Sequence, residues 1–196
     1  MEKAELNLKK PITIMEVCGS HTEIISKYAL RKLYEGKVKL ISGPGCPVCV
    51  TSPEEIDEVI EYAQNGFVIT TFGDLLKVPG TRSSLTREKS LGADIKTVYS
   101  PLKALEYAQG NPTKSVVFIG IGFETTAPTI ALTIKKAKSD RVNNFSVLCL
   151  HKTMPQILKT LLKDCKSLDG LLLPGHVCSI IGAKPFNFIA EQYNIM

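Results

Sequence analysis

The stretch VKLISGPGCPVCVTSPEE, residues 38–55, contains the signals that decide the fold of this chain. Three of its first five residues, Val38, Leu40 and Ile41, are apolar, and two of these three are β-branched, which favours a β-strand. Ser52 is followed by a proline and two acids, a pattern typical of a helix N-terminus. A strand that passes through a glycine- and proline-rich loop into a helix is the repeating unit of a parallel α/β fold.

The same alternation recurs along the chain. Nearly continuous apolar runs, as in strands covered on both faces, predict strands at 12–17, 38–42, 67–72, 95–99, 115–121, 145–150 and 170–173. Helical patterns lie at 22–34, 53–65, 101–109, 126–139, 154–164 and 185–193. We therefore predict an α/β fold of two tandem domains with parallel sheets, divided at the turn Gly110-Asn111-Pro112 into residues 1–110 and 111–196. The second domain then has few strands, and we expect it to be incomplete.

Composition limits the class of protein. A chain of 196 residues that is 44% hydrophobic and 22% charged can bury a core. No apolar run approaches the roughly 18 residues of a membrane span, and the N-terminal fifteen residues lack the apolar core of a signal peptide. We therefore expect a cytoplasmic protein that contacts no membrane. Six cysteines in such a protein indicate metal or redox chemistry wherever they cluster.

The net charge of +5 is concentrated in the second half, mainly at 135–141 and 159–166. Such charges usually form a solvated helix face, and the alternative is a docking surface for an acidic partner. Aromatic residues do not alternate with these charges, which disfavours nucleic acid as a partner.

The first candidate site is Cys18-Gly19-Ser20-His21-Thr22, just before a predicted helix. The positive end of a helix stabilises a thiolate, which is the form that binds metal or attacks an electrophile. A buried cysteine is equally often a small core residue. The sequence fits His21 equally well as a helix-capping residue or as a surface group.

The second candidate is the CxxC pair, Cys46 and Cys49, on the loop of residues 42–51. Two thiols at this spacing can form a disulfide or share a metal. A structural zinc needs four ligands, and no second CxxC is present. A redox pair is therefore favoured over zinc, with inert packing as the remaining alternative. The other cysteines, at 149, 165 and 178, lack ligand spacing.

Three further strand ends carry polar groups. Glu124 and Thr125 follow a glycine turn that departs from the dinucleotide-binding pattern at its last position, and they fit helix capping as well as a binding site. His176 and His151 each follow a predicted strand, and both are open to a structural or solvent-facing role. Because ligands bind at the carboxyl ends of parallel strands, we expect these loops to line the same edges.

Four motifs together resemble the HypD family of [NiFe]-hydrogenase maturation factors. They are MEVCGSHT at 15–22, GPGCPVC at 43–49, GFETTAP at 122–128 and PGHV at 174–177, in the order found in that family. The resemblance implies a scaffold that works with the small protein HypC to assemble an iron carrying cyanide and carbon monoxide. Cyanide comes from HypE, and the finished unit passes to the hydrogenase large subunit.

The resemblance also implies roles for particular residues. Cys18 would hold the iron with His21 close by, and Cys46 and Cys49 would be the redox thiols. Glu124, Thr125 and His176 would line a cleft between the two domains. Ser20 stands where the family more often has threonine.

One departure is large. Members of the family are nearly twice as long, and their C-terminal part holds a four-iron four-sulfur cluster whose ligands have no counterpart in this sequence. We expect this chain to be an N-terminal portion of such a protein. Two alternatives remain open, namely a general thiol–disulfide oxidoreductase using Cys46 and Cys49, and a remnant without activity.

Overall fold

The computed structural model describes residues 8–165 and 167–196. Residues 1–7 and Lys166 lie outside the described residues. Residues 1–7 belong to the N-terminal stretch from which a cytoplasmic location was predicted, and Lys166 belongs to the basic stretch 159–166. The described chain is an α/β protein with two parallel sheets, which confirms the predicted fold class. No helix in this part of the chain is long and apolar enough to cross a membrane.

All seven predicted strands are present, with somewhat different ends. They are β1 (Ile12–Glu16), β2 (Val38–Ser42), β3 (Val68–Thr71), β4 (Ile95–Thr97), β5 (Val116–Gly120), β6 (Phe145–Cys149) and β7 (Gly170–Leu172). The helices are α1 (Gly19–Lys27), α2 (Leu30–Leu33), α3 (Pro53–Gln64), α4 (Leu85–Ser90), α5 (Pro101–Gly110), α6 (Ala127–Ser139), α7 (Met154–Asp164), α8 (Gly175–Ile181) and α9 (Phe188–Tyr193). Short 3₁₀ turns lie at Val48–Val50, Gly73–Lys77 and Lys184–Phe186.

Helix α3 begins as its sequence predicts. Ser52 is the N-cap, and its hydroxyl accepts the Glu55 N–H while the Glu55 carboxylate accepts the Ser52 N–H. This capping box satisfies two of the backbone donors that a helix N-terminus leaves unpaired. Pro53 fits the first helical position because no hydrogen bond is required of its nitrogen.

The strands fall into two compact units. Unit 1 contains the residues up to Cys49 together with Thr153–Met196, and unit 2 is the continuous stretch Val50–Lys152. In unit 1 the strand order is β2-β1-β7, with Ile12 opposite Val38 and Ile14 opposite Gly170.

Unit 2 has the strand order β4-β3-β5-β6. Its two central strands, β3 and β5, are buried at every position, as expected for strands covered on both faces. Phe118 on β5 packs edge-on against Phe72, with ring centroids 5.5 Å apart, and also against Ala104 and Ile130 from the helices. This core fixes the positions at which the strands of unit 2 end.

The division into units differs from the predicted boundary near residue 110. Strand β3 pairs with β5 across that position, and β1 pairs with β7, which comes from the last part of the chain. Both pairings join strands that are distant in sequence. The physical reason is that a buried central strand needs two neighbours, and β7 supplies the second neighbour of β1.

Candidate functional site

Three loops meet at the carboxyl edge of the unit 1 sheet. The Val17 N–H donates to the Leu172 carbonyl at 3.3 Å, and the Gly43 N–H donates to the Glu16 carbonyl at 2.7 Å. These bonds continue the β1–β7 and β1–β2 ladders beyond the strand ends. They bring together the segment around Cys18, the CxxC loop and the turn that precedes His176.

Cys18 is the N-cap of α1 and is buried, with only 5% of its surface exposed. Its side chain makes no capping hydrogen bond, although its carbonyl accepts the N–H groups of His21 and Thr22. The sulfur instead lies 2.9 Å from Ser20 Oγ and 3.8 Å from His176 Nδ1. The thiol therefore faces other side chains at the strand edge.

Glu16 holds the backbone of this segment in place. It is 1% exposed, and its carboxylate accepts the Cys18 N–H at 3.2 Å and the Thr22 hydroxyl. A buried carboxylate is stable only when its oxygens are hydrogen-bonded, so Glu16 fixes both the N-cap residue and the first turn of α1. Sequence reasoning missed this role, although a carboxylate at the end of an apolar strand was a visible signal.

The CxxC loop packs directly against Cys18 through Gly45. A Cβ atom at Gly45 would lie 2.9–3.0 Å from the backbone N, Cα and carbonyl carbon of Cys18, which is closer than real side chains allow. Glycine is therefore required for this approach. Gly43 is similarly confined, because a Cβ there would lie 2.6 Å from Met15 Sδ.

Cys46 and Cys49 interact with each other. Their hydrogen bond raises the pKa of the Cys49 thiol above its ordinary value, and burial and the charge of Cys46 add to this effect. Cys46 is partly buried and Cys49 is exposed, so the pair can be reached from solvent.

The histidines of the site differ in their surroundings. His176 lies on α8, a helix that was not predicted, and is exposed. His21 is partly buried in the first turn of α1, and its Nδ1 atom is buried without a hydrogen-bond partner. Within residues 8–165 and 167–196, no three His, Cys, Asp or Glu side chains are grouped so that they could hold a metal ion.

Glu124 and Thr125 lie in unit 2, on the turn between β5 and α6, and both are partly buried. The turn needs Gly122, since a Cβ there would lie 1.8 Å from Thr126 Oγ1. Cys18, His21, Cys46, Cys49 and His176 all belong to unit 1. The predicted cleft shared by Glu124 and His176 stays a prediction.

The fold and this edge define a class of protein, in which an α/β sheet presents thiols at the carboxyl ends of its parallel strands. Comparison with known proteins makes the assignment specific. A HypD family model, described as the hydrogenase formation hypA family, matches residues 1–196.

Curated relatives agree with this match. The chain is 51% identical over 187 residues to hydrogenase maturation factor HypD of Rhodobacter capsulatus, covering 94% of this chain and 50% of the relative. It is 47% identical over 188 residues to HypD of Escherichia coli K12, covering 95% and 50% respectively. For HypD of Rhizobium leguminosarum bv. viciae the identity is 44% over 188 residues, with 91% and 49% covered.

The chain therefore belongs to the HypD family, as its motifs predicted. It spans about half the length of the curated relatives that it matches.

Proposed function

We propose that this chain provides the part of a hydrogenase maturation factor that holds an iron unit during assembly, with Cys18 as its iron ligand. The observation that carries the proposal is the position of the Cys18 sulfur. It belongs to an N-cap residue yet takes no part in capping, and it faces His176 at the edge where the CxxC loop also lies. Family membership supports the same role.

The iron is the substrate of assembly rather than a resident cofactor. An iron that already carries cyanide and carbon monoxide is low-spin and soft, and thiolate is a suitable ligand for it. Such an iron needs few protein ligands because the diatomic molecules occupy other coordination positions. One thiolate, with His21 or His176 nearby, meets this requirement without the larger ligand set of a structural metal site.

Cys46 and Cys49 are proposed as the redox thiols of the same assembly. When their dithiol becomes a disulfide, the two sulfurs lose two protons and two electrons, and the electrons pass to the iron unit being assembled. Their mutual hydrogen bond supports this role, because the sulfurs are already neighbours. An external thiol would return the pair to the reduced state.

The partners follow from the same proposal. HypC would share the iron, HypE would supply cyanide, and the hydrogenase large subunit would receive the finished unit. The four-iron four-sulfur cluster of longer family members does not fit the described residues. The cysteines outside the motifs lie at the ends of β6 and α7 and on α8, and no three ligands are grouped among the described residues.

Anaerobic reconstitution with ferrous iron and cyanide, followed by infrared detection of cyanide stretches, tests the role of Cys18. We expect Cys18→Ala to lose the signal and Cys165→Ala to keep it. Cys165 is the matched control because it is a partly buried thiol of the same unit outside the motifs. Equal signals in the two variants would remove Cys18 from the role.

A second candidate function is general thiol–disulfide exchange by Cys46 and Cys49, favoured by their hydrogen bond and by the exposure of Cys49. It predicts turnover of a simple disulfide such as oxidised glutathione in the absence of iron. Turnover that is lost in Cys46→Ser but unchanged in Cys18→Ala would support this function. An unreactive pair in the iron-free protein would exclude it.

A further inference from the structure

Unit 2 carries a thiol and an imidazole that the proposed function does not use. Cys149 is the last residue of β6, an edge strand of its sheet, and its side chain is exposed. His151 follows two residues later and is partly buried. The Cys149 sulfur lies 3.4 Å from His151 Nδ1, within hydrogen-bonding distance for sulfur.

Thr126 contacts the nitrogen of His151 that does not contact Cys149. His151 Nε2 lies 3.1 Å from Thr126 Oγ1, and the Thr126 hydroxyl donates to the Phe123 carbonyl at 3.2 Å. When the hydroxyl donates to that carbonyl, its oxygen accepts a hydrogen bond from His151 Nε2–H. His151 Nδ1 then presents its lone pair to the Cys149 thiol, which is the tautomer required of a base.

Two glycines keep space for this arrangement. A Cβ at Gly122 would collide with Thr126 Oγ1, and one at Gly120 would lie 3.4 Å from His151 Cε1 and 3.1 Å from a Val147 methyl group. The backbone is fixed on both sides of the histidine, because Gly120 and Gly122 accept the N–H groups of Leu150 and Lys152 at 2.8 and 3.1 Å. The ring is thus held in place by the β5–α6 turn.

The charge state of the ring suits a base. Burial lowers the pKa of His151 below its ordinary value, so the ring is neutral at neutral pH. The neighbouring ammonium of Lys152 forms an ion pair with the Glu55 carboxylate. A neutral imidazole oriented by a third group toward a thiol is the arrangement of an activated sulfur nucleophile.

We propose that Cys149 is a base-assisted thiol that forms a mixed disulfide with low-molecular-weight disulfides. In this step the Cys149 thiol proton passes to His151 Nδ1 while the sulfur attacks one sulfur of the disulfide. A new S–S bond forms to Cys149, the original S–S bond breaks, and the released thiolate takes the proton from His151. Cys149 is oxidised, and one thiol of the small molecule leaves reduced. Thr126 acts as a positioning residue.

This site is separate from the thiols of unit 1. Cys149, His151 and Thr126 all lie within Val50–Lys152, whereas Cys18, Cys46 and Cys49 lie outside that stretch. The proposal therefore does not depend on the role of Cys18 in iron binding. It gives the chain a second position at which cellular thiol–disulfide balance can alter it covalently.

The test measures the initial rate at which the reduced chain acquires glutathione on Cys149 from oxidised glutathione at neutral pH. Remaining thiols are trapped with iodoacetamide, and peptide mass spectrometry assigns the adduct. We expect His151→Gln to slow the reaction at Cys149 at least tenfold, since glutamine fills the space but takes no proton. We expect Thr126→Val to slow it about threefold, Thr126→Ser to restore it, and Thr129→Val to leave it unchanged.

Thr129→Val is the matched control, because Thr129 is an exposed threonine on the same helix. The pH dependence separates a base from a purely structural group. As pH falls from about 8 to about 6, the rate in His151→Gln should fall steeply, while the wild-type rate should fall less because neutral His151 still takes the proton.

A rate in folded His151→Gln within twofold of wild type, or the same pH profile in both, would overturn the proposal. Equal rates in Thr126→Val and Thr129→Val would overturn the positioning role of Thr126. Far-UV circular dichroism checks that each variant is folded. If His151→Gln does not fold, the comparison of Thr126→Val with Thr129→Val still tests whether the orientation of His151 affects the rate at Cys149.

Discussion

The two sheet edges each pair a cysteine sulfur with a histidine Nδ1, yet they are built in opposite ways. In unit 1 the cysteine is buried and the histidine is exposed, with Cys18 Sγ and His176 Nδ1 3.8 Å apart and 158 residues apart in sequence. In unit 2 the cysteine is exposed and the histidine is partly buried, with Cys149 and His151 two residues apart and 3.4 Å between Sγ and Nδ1. The first pair depends on completed tertiary structure, and the second depends on one strand end and the turn beside it.

The largest expected difference between the two edges is in the labelling of the native protein. Alkylation of Cys18 requires local opening, since it is 5% exposed, whereas Cys149 is already accessible. We expect iodoacetamide to label Cys149 roughly two to three orders of magnitude faster than Cys18, because local opening costs a few kcal/mol. Full denaturation should bring the two rates close together. Similar rates in the native protein would contradict the buried position of Cys18.

Replacing Glu16 by alanine should weaken unit 1. The change removes the acceptor of the Cys18 N–H and the Thr22 hydroxyl and leaves a cavity, so we expect the free energy of unfolding to fall by about 2–3 kcal/mol. Denaturant titration measures the loss. Glu23→Ala, an exposed glutamate on α1, is the control and should change little. Comparable effects of both variants would show that the buried carboxylate does not stabilise the edge.

Gly45→Ala should separate the CxxC loop from Cys18. The added methyl group would meet the Cys18 backbone at 2.9–3.0 Å, and relief of this clash should lower the free energy of unfolding by about 1–2 kcal/mol. The Cys18 labelling rate should rise in the same variant. Gly19→Ala is the control, because no atom lies within 4 Å of a Cβ at that position. An unchanged labelling rate in Gly45→Ala would show that the loop does not cover Cys18.

The smallest expected effect concerns the Glu55–Lys152 ion pair, which joins the two ends of the continuous unit 2. Burial alone would raise the pKa of Glu55, but the hydrogen bonds from Lys152 and Ser52 and the lysine charge lower it below 4.5 overall. The pair therefore stabilises the fold at pH values above the pKa that Glu55 has in the unfolded chain. This contribution is lost as the pH falls through the lower pKa that Glu55 has in the folded protein. Glu55→Gln should lower the free energy of unfolding by less than about 1 kcal/mol at pH 7. It should also make the free energy of unfolding less dependent on pH below about pH 4.5.

Glutamine keeps the acceptor of the capping box, so this variant isolates the charge of Glu55. Glu54→Gln, on the same turn but exposed, is its control. Identical pH profiles for the two variants would contradict a role for the ion pair.

Local signals in the sequence were enough to predict the strands and several helix starts. The apolar runs predicted all seven strands, and the residues at Ser52–Glu55 predicted the start of α3. Helix α8 was missed because Pro174-Gly175-His176 has the composition of a turn. Helix α4 was missed because it has only six residues and its Ser84 N-cap lies inside a polar stretch.

Contacts between distant residues could not be predicted in the same way. Cys18 and the CxxC pair were identified from their spacing, but the contact of Cys18 with His176 follows from the pairing of β1 with β7. The Thr126–His151 contact joins residues 25 positions apart and depends on the β5–β6 pairing. No periodic pattern in one sequence specifies which parallel strands become neighbours.

The position of β7 in the unit 1 sheet has a consequence for synthesis on the ribosome. Unit 2 is encoded without interruption, so its four strands can pair as soon as Lys152 has left the exit tunnel. At that moment β1 and β2 still lack their third strand. The neighbourhood of the Cys18 sulfur is therefore completed only after the whole of unit 2 has been translated, although Cys18 itself is translated early.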